Sequence, residues 1–399
     1  MGVLAHAASV DSEGRHIADR LMQGAESGGW KVTALFGPEH GLQGAAQDME
    51  PVGHAQLANP RSQIPNPKQA SNPKSQIPIY SLYGNSFASL SPTPEMLKDI
   101  DVLVVDLQDI GSRYYTYANT MALCIRACSA AGKEVIVCDR PNPINGVDKE
   151  GGTVDPEFRS FVGMFPVPVR HGMTIGEIAK QFCSGGLHII PTQGWNRGHF
   201  WDETGLKWIN PSPNMRSLTA ALLYPGMCLM EGTNISEGRG TRTPFETIGA
   251  PWVDGEELAK KLRSLKLAGI DCDPVVFTPT ARKFENDRCE GIQFIITDRR
   301  KFRPYLTGLA LIHTISSLYR KHFKWRREPY EFVDDIPAID LLTGNSRFRK
   351  LIDKGKPLEE IMGVVKNAHL RRCPQTRFVN VPLRYASSRV CGRLASRHF

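Results

Sequence analysis

Short apolar runs alternate with helical patterns along the first third of the chain. Apolar runs predict strands at 2–6, 31–36, 79–83, 101–106 and 134–138, and helical periodicity predicts helices at 14–28, 94–99 and 113–131. The run 101–106 is almost continuously apolar, as expected for a strand buried on both faces of a parallel sheet. This alternation predicts a Rossmann-like parallel sheet whose functional loops follow the carboxyl ends of the strands.

The pattern changes in the second half of the chain. Residues 195–254 are rich in glycine, proline and polar side chains, which predicts irregular structure. Regular patterns return as a helix at 255–266, strands at 274–280 and 291–298, and a helix at 304–321. We therefore predict an α/β protein with a Rossmann-like domain over 1–254 and a smaller α/β domain over 255–365. Thr174 and Glu177 have the spacing of a capping box, which predicts a structural role for Glu177.

Two segments stand apart from these domains. Within 54–78, the pattern of residues 59–65 recurs at 72–78, and this Pro-rich duplication predicts a mobile surface loop. From Lys366 onwards the chain has eight basic residues and no acidic one, which accounts for its whole net charge of +8. We interpret 366–399 as a basic tail and predict no nucleic-acid surface on the folded body.

Composition excludes several classes of protein. No apolar run reaches the roughly 18 residues that a membrane-spanning helix needs. The nine cysteines are scattered without a Cys-x-x-Cys pair, which indicates reduced thiols and argues against a zinc site. The N-terminus has no recognisable export signal, which by itself predicts a cytoplasmic protein.

A rigid turn after the second predicted strand carries the first candidate for chemistry. Gly37, Pro38 and Gly41 enclose Glu39 and His40. A carboxylate and an imidazole can both move protons near neutral pH. Because glycine and proline restrict the turn, it can hold both groups in one geometry. We predict that this turn is part of a site.

Further polar side chains follow other predicted strands or lie in the middle region of the chain. They are carboxylates, amides, imidazoles and guanidinium groups: Gln108, Asp109, Arg113, Asn142, Arg170, His171, Asn214, Glu231, Asn234, Glu237 and Arg239. Amides and aromatic rings together suit a sugar, whose ring faces stack and whose hydroxyls form hydrogen bonds. For individual residues a structural role stays open, since Asp109 and Arg113 also have the spacing of a helical ion pair.

Absent motifs narrow the reaction class. The chain has no Walker A motif, no Gly-x-Gly-x-x-Gly after its first strand, no Gly-x-Ser-x-Gly and no His-Glu-x-x-His. These absences weigh against a nucleotide cofactor, a serine hydrolase and a zinc peptidase. Paired carboxylates beside amides favour hydrolysis of a glycosidic bond.

The order of the motifs resembles that of a bacterial family, the exo-β-N-acetylmuramidases of the NamZ type. The resemblance covers about residues 2–363 and rests on the segments 35–41, 80–84, 106–113, 139–143, 211–215, 224–226 and 231–234. It implies a hydrolase of cell-wall turnover that removes N-acetylmuramic acid from the non-reducing end of peptidoglycan fragments. It also implies an active site in the cleft between a Rossmann-like domain and a smaller α/β domain.

The resemblance implies roles for the candidate residues. Glu39 is expected to donate the proton to the leaving oxygen, and His40 to tune it or to hold the sugar, with Asp109 or Glu231 as the second carboxylate. The expected substrate-binding set is Gln108, Arg113, Asn142, Arg170, His171, Asn214, Asn234, Glu237 and Arg239. Within it the asparagines would bind hydroxyls or the acetamido group, and one of the three arginines would bind the lactyl carboxylate. No cofactor and no metal are expected.

The expected partners are peptidoglycan-derived disaccharides and muropeptides, with no nucleic acid and the oligomeric state left open. The family resemblance implies an exported protein, whereas the N-terminus has no recognisable export signal. The basic tail also departs from the helical ending expected of the family, and we hypothesise that this end of the sequence is altered. Two alternative functions stay open: a binding protein that retains muropeptides without turnover, and a sugar-phosphate-binding enzyme that uses residues 238–242.

Overall fold

The computed structural model describes residues 1–57, 77–182 and 185–369. Most of the Pro-rich duplication and the basic tail beyond residue 369 therefore lie outside the described residues. The predictions of a mobile loop and of an altered C-terminal end are not tested there.

Ten strands and ten α-helices make up the described fold. The strands are β1 (Gly2–Ala5), β2 (Ala34–Gly37), β3 (Ala55–Leu57), β4 (Ile77–Ser81), β5 (Val102–Asp106), β6 (Glu134–Cys138), β7 (Leu187–Ile190), β8 (Thr247–Ala250), β9 (Ile270–Phe277) and β10 (Cys289–Ile296). The helices are α1 (Ile17–Gly28), α2 (Pro94–Leu97), α3 (Tyr117–Ala130), α4 (Ile175–Ala179), α5 (Leu218–Met227), α6 (Gly255–Ser264), α7 (Pro304–Leu318), α8 (Ala338–Thr343), α9 (Arg347–Asp353) and α10 (Leu358–His369). Short 3₁₀ turns lie at Phe87–Leu90, Pro156–Phe158, Trp201–Glu203 and Cys228–Gly232.

The larger sheet has seven strands in the order β3-β4-β2-β1-β5-β6-β7. All neighbouring strands in it are parallel except β3, which pairs antiparallel with β4 at the edge. This confirms the predicted Rossmann-like parallel sheet. The chain runs outwards from β1 through β2 and β4, then returns to β5 on the other side of β1. The gap between β1 and β5 is therefore the topological switch point, where sheets of this kind commonly bind ligands.

Alternating side chains of the central strands pack on opposite faces of this sheet. Leu4 and Val105 belong to the large core that includes Met121 of α3. Val3 and its neighbour Leu35 belong to a smaller core on the other face, together with residues of α1. Because both faces are covered, the strands read as continuous apolar runs rather than as alternating ones.

The second sheet is smaller and antiparallel, with the order β8-β10-β9, and α6 packs against β9 and β10. This confirms the predicted smaller α/β unit. The placement of its boundary at 254/255 stays a prediction, but β8 precedes that point and pairs within the second sheet. The helix α10 likewise continues across residue 365.

The prediction of irregular structure for 195–254 was wrong for two elements, α5 and β8. Pro225 and Gly226 conceal α5 in the sequence, because both residues normally interrupt helices. The reason for the glycine is a close approach between α5 and α7. A Cβ added to Gly308 of α7 would lie 2.3 Å from the carbonyl oxygen of Gly226. Only glycine at both positions lets the two backbones come this near.

One smaller prediction is also confirmed, since Thr174 and Glu177 form the predicted capping box at the start of α4. Among the described cysteines, those at 124, 128, 138, 228, 272 and 289 are free thiols. In the ranges that the structure describes, no helix is both long enough and apolar enough to cross a bilayer.

Replacing Gly308 by alanine should destabilise the protein. The added methyl group meets backbone atoms of α5 that cannot rotate away, so we expect the free energy of unfolding to fall by about 1–3 kcal/mol. Calorimetric or denaturant unfolding measures this loss. The matched control is Gly363→Ala in α10, where an added Cβ meets nothing within 4 Å. This control should leave the stability unchanged or raise it, and equal losses in both variants would contradict the packing argument.

Candidate active site

A polar cleft lies between the two halves of the protein. Its walls combine residues that precede 120 with residues that follow 230, among them Glu39, Asp48, Glu231, Arg239, Tyr330 and Glu331. The free volume is ≈ 30 Å³, so the cleft is narrow.

The predicted Gly-Pro-Glu-His-Gly turn forms one wall. Directly after β2 the chain folds back so tightly that a Cβ on Gly37 would lie 2.6 Å from the amide nitrogen of Leu42. His40 is in the left-handed region with φ of 69°, and its Nδ1 lies 2.8 Å from the carbonyl oxygen of Ala46. This contact fixes the imidazole beside Glu39, as the sequence predicted for a rigid turn.

Glu39 is buried and accepts hydrogen bonds on both carboxylate oxygens. The hydroxyl of Thr116, at the start of α3, donates to Oε2 at 2.6 Å. The amide of Met49 donates to Oε1 at 3.2 Å. Elements after β2 and β5 thus hold Glu39 from two sides, which orients the carboxylate at the carboxyl edge of the sheet.

Glu331, which sequence reasoning missed, lines the cleft together with Glu39 and interacts electrostatically with it. Burial raises the pKa of Glu331 well above its usual value, and the charge of Glu39 raises it further. The Tyr83 hydroxyl donates to Glu331 Oε2 at 3.0 Å and opposes this rise. Glu331 lies between α7 and α8 in no motif that we singled out. Its only unusual local feature is a positive φ of 47°, which a sequence does not reveal.

Three carboxylates surround the guanidinium of Arg239. Its Nη2 donates to Glu231 at 2.7 Å, its Nε to Glu237 at 3.0 Å, and its Nη1 lies 3.2 Å from Asp48. Burial lowers the pKa of Arg239, but the three acids together raise it well above the usual value. The structure therefore brings together the predicted residues Glu231, Glu237 and Arg239 and adds Asp48.

Other groups complete this ionic network. Tyr330 donates to Glu231 Oε2 at 2.7 Å, and Lys283 donates to Glu237 at 3.0 Å. Burial raises the pKa of Glu231, although Arg239 and Tyr330 oppose the shift. Burial also raises the pKa of Asp48, but Arg239 and Arg282 outweigh it and leave that pKa below its usual value. Since Arg239 already binds three carboxylates, a phosphate group would have to displace them.

The structure directs several other predicted residues into the protein interior. Asp109 accepts from the amide of Gly111 at 2.7 Å and lies 3.4 Å from His171 Nε2. Gln108 donates to the carbonyl oxygens of Asp109 and Pro141. Asp109 and His171 therefore form a buried pair of their own rather than part of the Glu39 wall.

The predicted arginines and asparagines outside the cleft satisfy backbone groups. Arg113 donates to the carbonyl oxygens of residues 152, 167 and 342. Arg170 donates to the carbonyl of Ile144 and pairs with Asp148 and Glu150. Asn142 and Asn234 each form a donor and an acceptor contact with the backbone. Asn214 donates to the side chain of Gln47 at 2.8 Å, next to cleft residues Ser212 and Met215.

No group of three or more metal-ligating side chains with suitable geometry occurs among the residues that the structure describes. The cleft instead offers carboxyl groups, tyrosine hydroxyls and one buried guanidinium. Such a set can transfer protons and stabilise a developing positive charge.

Two family models match the chain, one after the other. The N-terminal model of the exo-β-N-acetylmuramidase NamZ family matches residues 1–219, and its C-terminal model matches residues 222–370. The chain belongs to the NamZ family. This confirms the family that the order of the motifs predicted. A relative from Bacillus subtilis (strain 168), named peptidoglycan β-N-acetylmuramidase NamZ, is 41% identical over 367 residues, covering 91% of this chain and 82% of the relative.

Solved structures share the fold of this NamZ family member. A crystal structure of a DUF1343 family protein from Bacteroides fragilis NCTC 9343 matches with a TM-score of 0.75 at 29% identity, covering 93% of this chain and 94% of that chain. A second DUF1343 family protein from the same strain matches with a TM-score of 0.62 at 25% identity, covering 94% and 92%. The pairing of a parallel sheet with a smaller antiparallel one therefore extends beyond this chain.

Replacing Arg239 by methionine should strongly destabilise the protein at neutral pH. The variant removes the cation shared by the buried Glu231 and Glu237 and the partly buried Asp48, so we expect the free energy of unfolding to fall by about 3–5 kcal/mol. Without the cation these carboxyl groups take up protons more readily in the folded than in the unfolded state. The loss should therefore shrink as the pH is lowered, which unfolding at a series of pH values measures.

The matched control is Arg242→Met, which removes an exposed arginine from the same loop. It should change the stability little at any pH. A loss for Arg239→Met that does not depend on pH would contradict the charge-balance explanation and leave only lost packing.

Proposed function

We propose that this protein is an exo-acting β-N-acetylmuramidase, which hydrolyses the glycosidic bond of a terminal N-acetylmuramic acid in peptidoglycan fragments. The observation that carries the proposal is the interaction of two buried carboxyl groups, Glu39 and Glu331, at the cleft. Membership of the NamZ family and the activity named for the Bacillus subtilis relative support the choice of substrate.

Glycoside hydrolysis needs one carboxyl group that holds a proton and one that is ionised. Burial, and then the charge of Glu39, raise the pKa of Glu331 well above its usual value, which favours the protonated form that a donor needs. Its Oε2 accepts from Tyr83, which leaves Oε1 to carry that proton towards a substrate oxygen. Glu39 accepts hydrogen bonds on both oxygens, as a carboxylate does. We therefore assign proton donation to Glu331 and the second carboxylate to Glu39.

This assignment differs from the expectation drawn from the sequence, in which Glu39 is the donor and Asp109 or Glu231 its partner. Glu231 is neutralised by Arg239, and Asp109 is paired with His171 inside the protein. Both are therefore less suited to act on a sugar than Glu331. Of the three arginines expected to bind the lactyl carboxylate, Arg239 is the one that lines the cleft, but a lactyl carboxylate would have to displace one of the three carboxylates that Arg239 already binds.

The cleft is narrow, and substrate entry would move its two walls apart. Arg282, on the loop after β9, forms ion pairs with Asp48 and Glu50 across the two walls at 3.2 and 3.4 Å. Arg282 is partly exposed, so its ion pairs are weak, whereas the pair of the buried Arg239 with Asp48 at 3.2 Å would also have to break. Closure around the sugar would then exclude water and strengthen the electrostatic effect of the buried carboxyl groups.

Variants of the two carboxyl groups should respond differently to the leaving group. Glu331→Gln should lose about 10²–10⁴-fold in kcat/KM on a disaccharide of N-acetylmuramic acid and N-acetylglucosamine, whose sugar oxygen needs a proton. On 4-nitrophenyl β-N-acetylmuramide the loss should stay within about tenfold, because the phenolate leaves without protonation. Glu39→Gln should lose activity strongly on both substrates.

Glu256→Gln, an exposed glutamate on α6, is the control and should match the unchanged protein. The reverse pattern for Glu39 and Glu331 would return the donor role to Glu39. Activity retained by both variants on both substrates would refute the pair. A protein that binds the disaccharide in calorimetry without cleaving it would be a binding protein.

The pH dependence of kcat/KM offers a second test. A donor with a raised pKa acts while protonated, so activity falls on the alkaline side as that proton is lost. Tyr83 lowers the pKa of Glu331 by donating to it, so Tyr83→Phe should move the alkaline limb to higher pH. The control is Tyr319→Phe, whose hydroxyl donates to Glu257 outside the cleft. If the alkaline limb of the kcat/KM profile lies at the same pH in Tyr83→Phe as in the unchanged protein, Glu331 is not the group that causes it.

A further inference from the structure

A second cavity lies on the other side of the segment 206–215. Its volume is ≈ 290 Å³, against ≈ 30 Å³ for the cleft, so it has more room for a ligand. Leu206, Lys207 and Trp208 line the cavity, whereas Ser212 and Met215 line the cleft. The indole nitrogen of Trp208 donates to the carbonyl oxygen of Met215 at 3.3 Å, which joins the two sides of this shared wall.

The cavity occupies the topological switch point of the large sheet. The loop after β1 supplies residues 8–14 of its wall, Gln108 follows β5, and Arg140 follows β6. Crevices at this place in parallel sheets are the usual position of a ligand. None of the roles assigned to the cleft uses the cavity.

The wall of the cavity suits a neutral sugar. Trp201 and Trp208 stand edge to face, with ring centroids 5.7 Å apart, and indole rings pack against the apolar faces of pyranoses. The charged groups are largely paired with one another. Arg140 binds Asp106 at 2.5 and 2.9 Å, and Asp11 binds Arg15 at 2.9 Å. Such a wall presents polar atoms without a strong net charge.

Two polar atoms beside the cavity lack hydrogen bonds. In the described part of the chain neither Gln108 Oε1 nor Trp201 Nε1 has a partner, although both are buried. One is an acceptor and the other a donor, and leaving a buried polar group unpaired is unfavourable. The acetamido N–H and a hydroxyl of an N-acetylhexosamine would supply the two missing partners after a rotation of these side chains.

We propose that this cavity is a second carbohydrate site, which binds a neutral N-acetylhexosamine unit such as N-acetylglucosamine. The choice of this sugar rests on the proposed function, whereas the cavity and its chemistry do not. The site would hold a glycan by its neutral sugars, separately from the acidic cleft that acts on N-acetylmuramic acid.

The test measures binding of chitotriose, the trimer of N-acetylglucosamine, to the full chain by calorimetry. Saturable binding in the millimolar range is expected. Ser12 is exposed and lines the cavity, so Ser12→Trp should fill it and weaken binding by at least about tenfold. Ser12→Ala, the matched control, should bind like the unchanged protein. Because the readout is binding, the result stands whether or not a muramide is hydrolysed.

A second pair of variants tests the unpaired indole nitrogen without filling the cavity. Trp201→Phe should weaken chitotriose binding, whereas Trp195→Phe, which removes an unpaired indole nitrogen outside the cavity, should not. The site would be overturned if chitotriose did not bind at about 10 mM. It would also be overturned if Ser12→Trp and Trp201→Phe both bound chitotriose as tightly as the unchanged protein. Equal affinity for cellotriose, which lacks acetamido groups, would overturn the assignment to an N-acetylhexosamine.

Discussion

The site depends on one buried guanidinium that balances three carboxylates. Arg239 binds Glu231 and Glu237 from its own region of the chain and Asp48 from the loop after β2. Glu237 also pairs with Lys283, and Asp48 with Arg282, but Arg239 is the one cationic partner of Glu231 among the described residues. An ionised carboxylate buried without a partner costs several kcal/mol. The same guanidinium therefore holds the two walls of the cleft together and fixes which acids are neutralised.

Two carboxyl groups of the cleft, those of Glu39 and Glu331, lie outside this ionic network. Within the described residues, Glu39 and Glu331 have hydroxyl and amide partners but no ion pair. Burial and the charge of Glu39 raise the pKa of Glu331 and so favour its protonated form. A proton donor and a carboxylate thus arise from one electrostatic constraint, without a metal-binding cluster in the described residues.

The sequence pattern predicted that the site lies at the carboxyl edge of the parallel sheet. It did not predict which side chains at that edge face the cleft. Apolar runs predicted the parallel strands, and polar residues after β2, β5 and β6 indicated a site where those strands end. Of these polar residues, Glu39 faces the cleft, whereas Asp109, Arg113 and Asn142 bind groups inside the protein. Loop residues of both kinds are polar, and only packing decides which of them turn inwards to satisfy buried backbone groups.

By itself the sequence determined the Rossmann-like sheet, the smaller α/β unit, the family and the rigid turn that carries Glu39 and His40, because periodicity and turn chemistry are local. The sequence did not predict α5, because Pro225 and Gly226 disfavour a helix and their tolerance depends on the packing of α5 against α7. Only the tertiary structure decided that Glu331, 292 residues after Glu39 in the sequence, interacts with it. That interaction depends on how the two halves pack, and no local pattern of residues encodes such a distance.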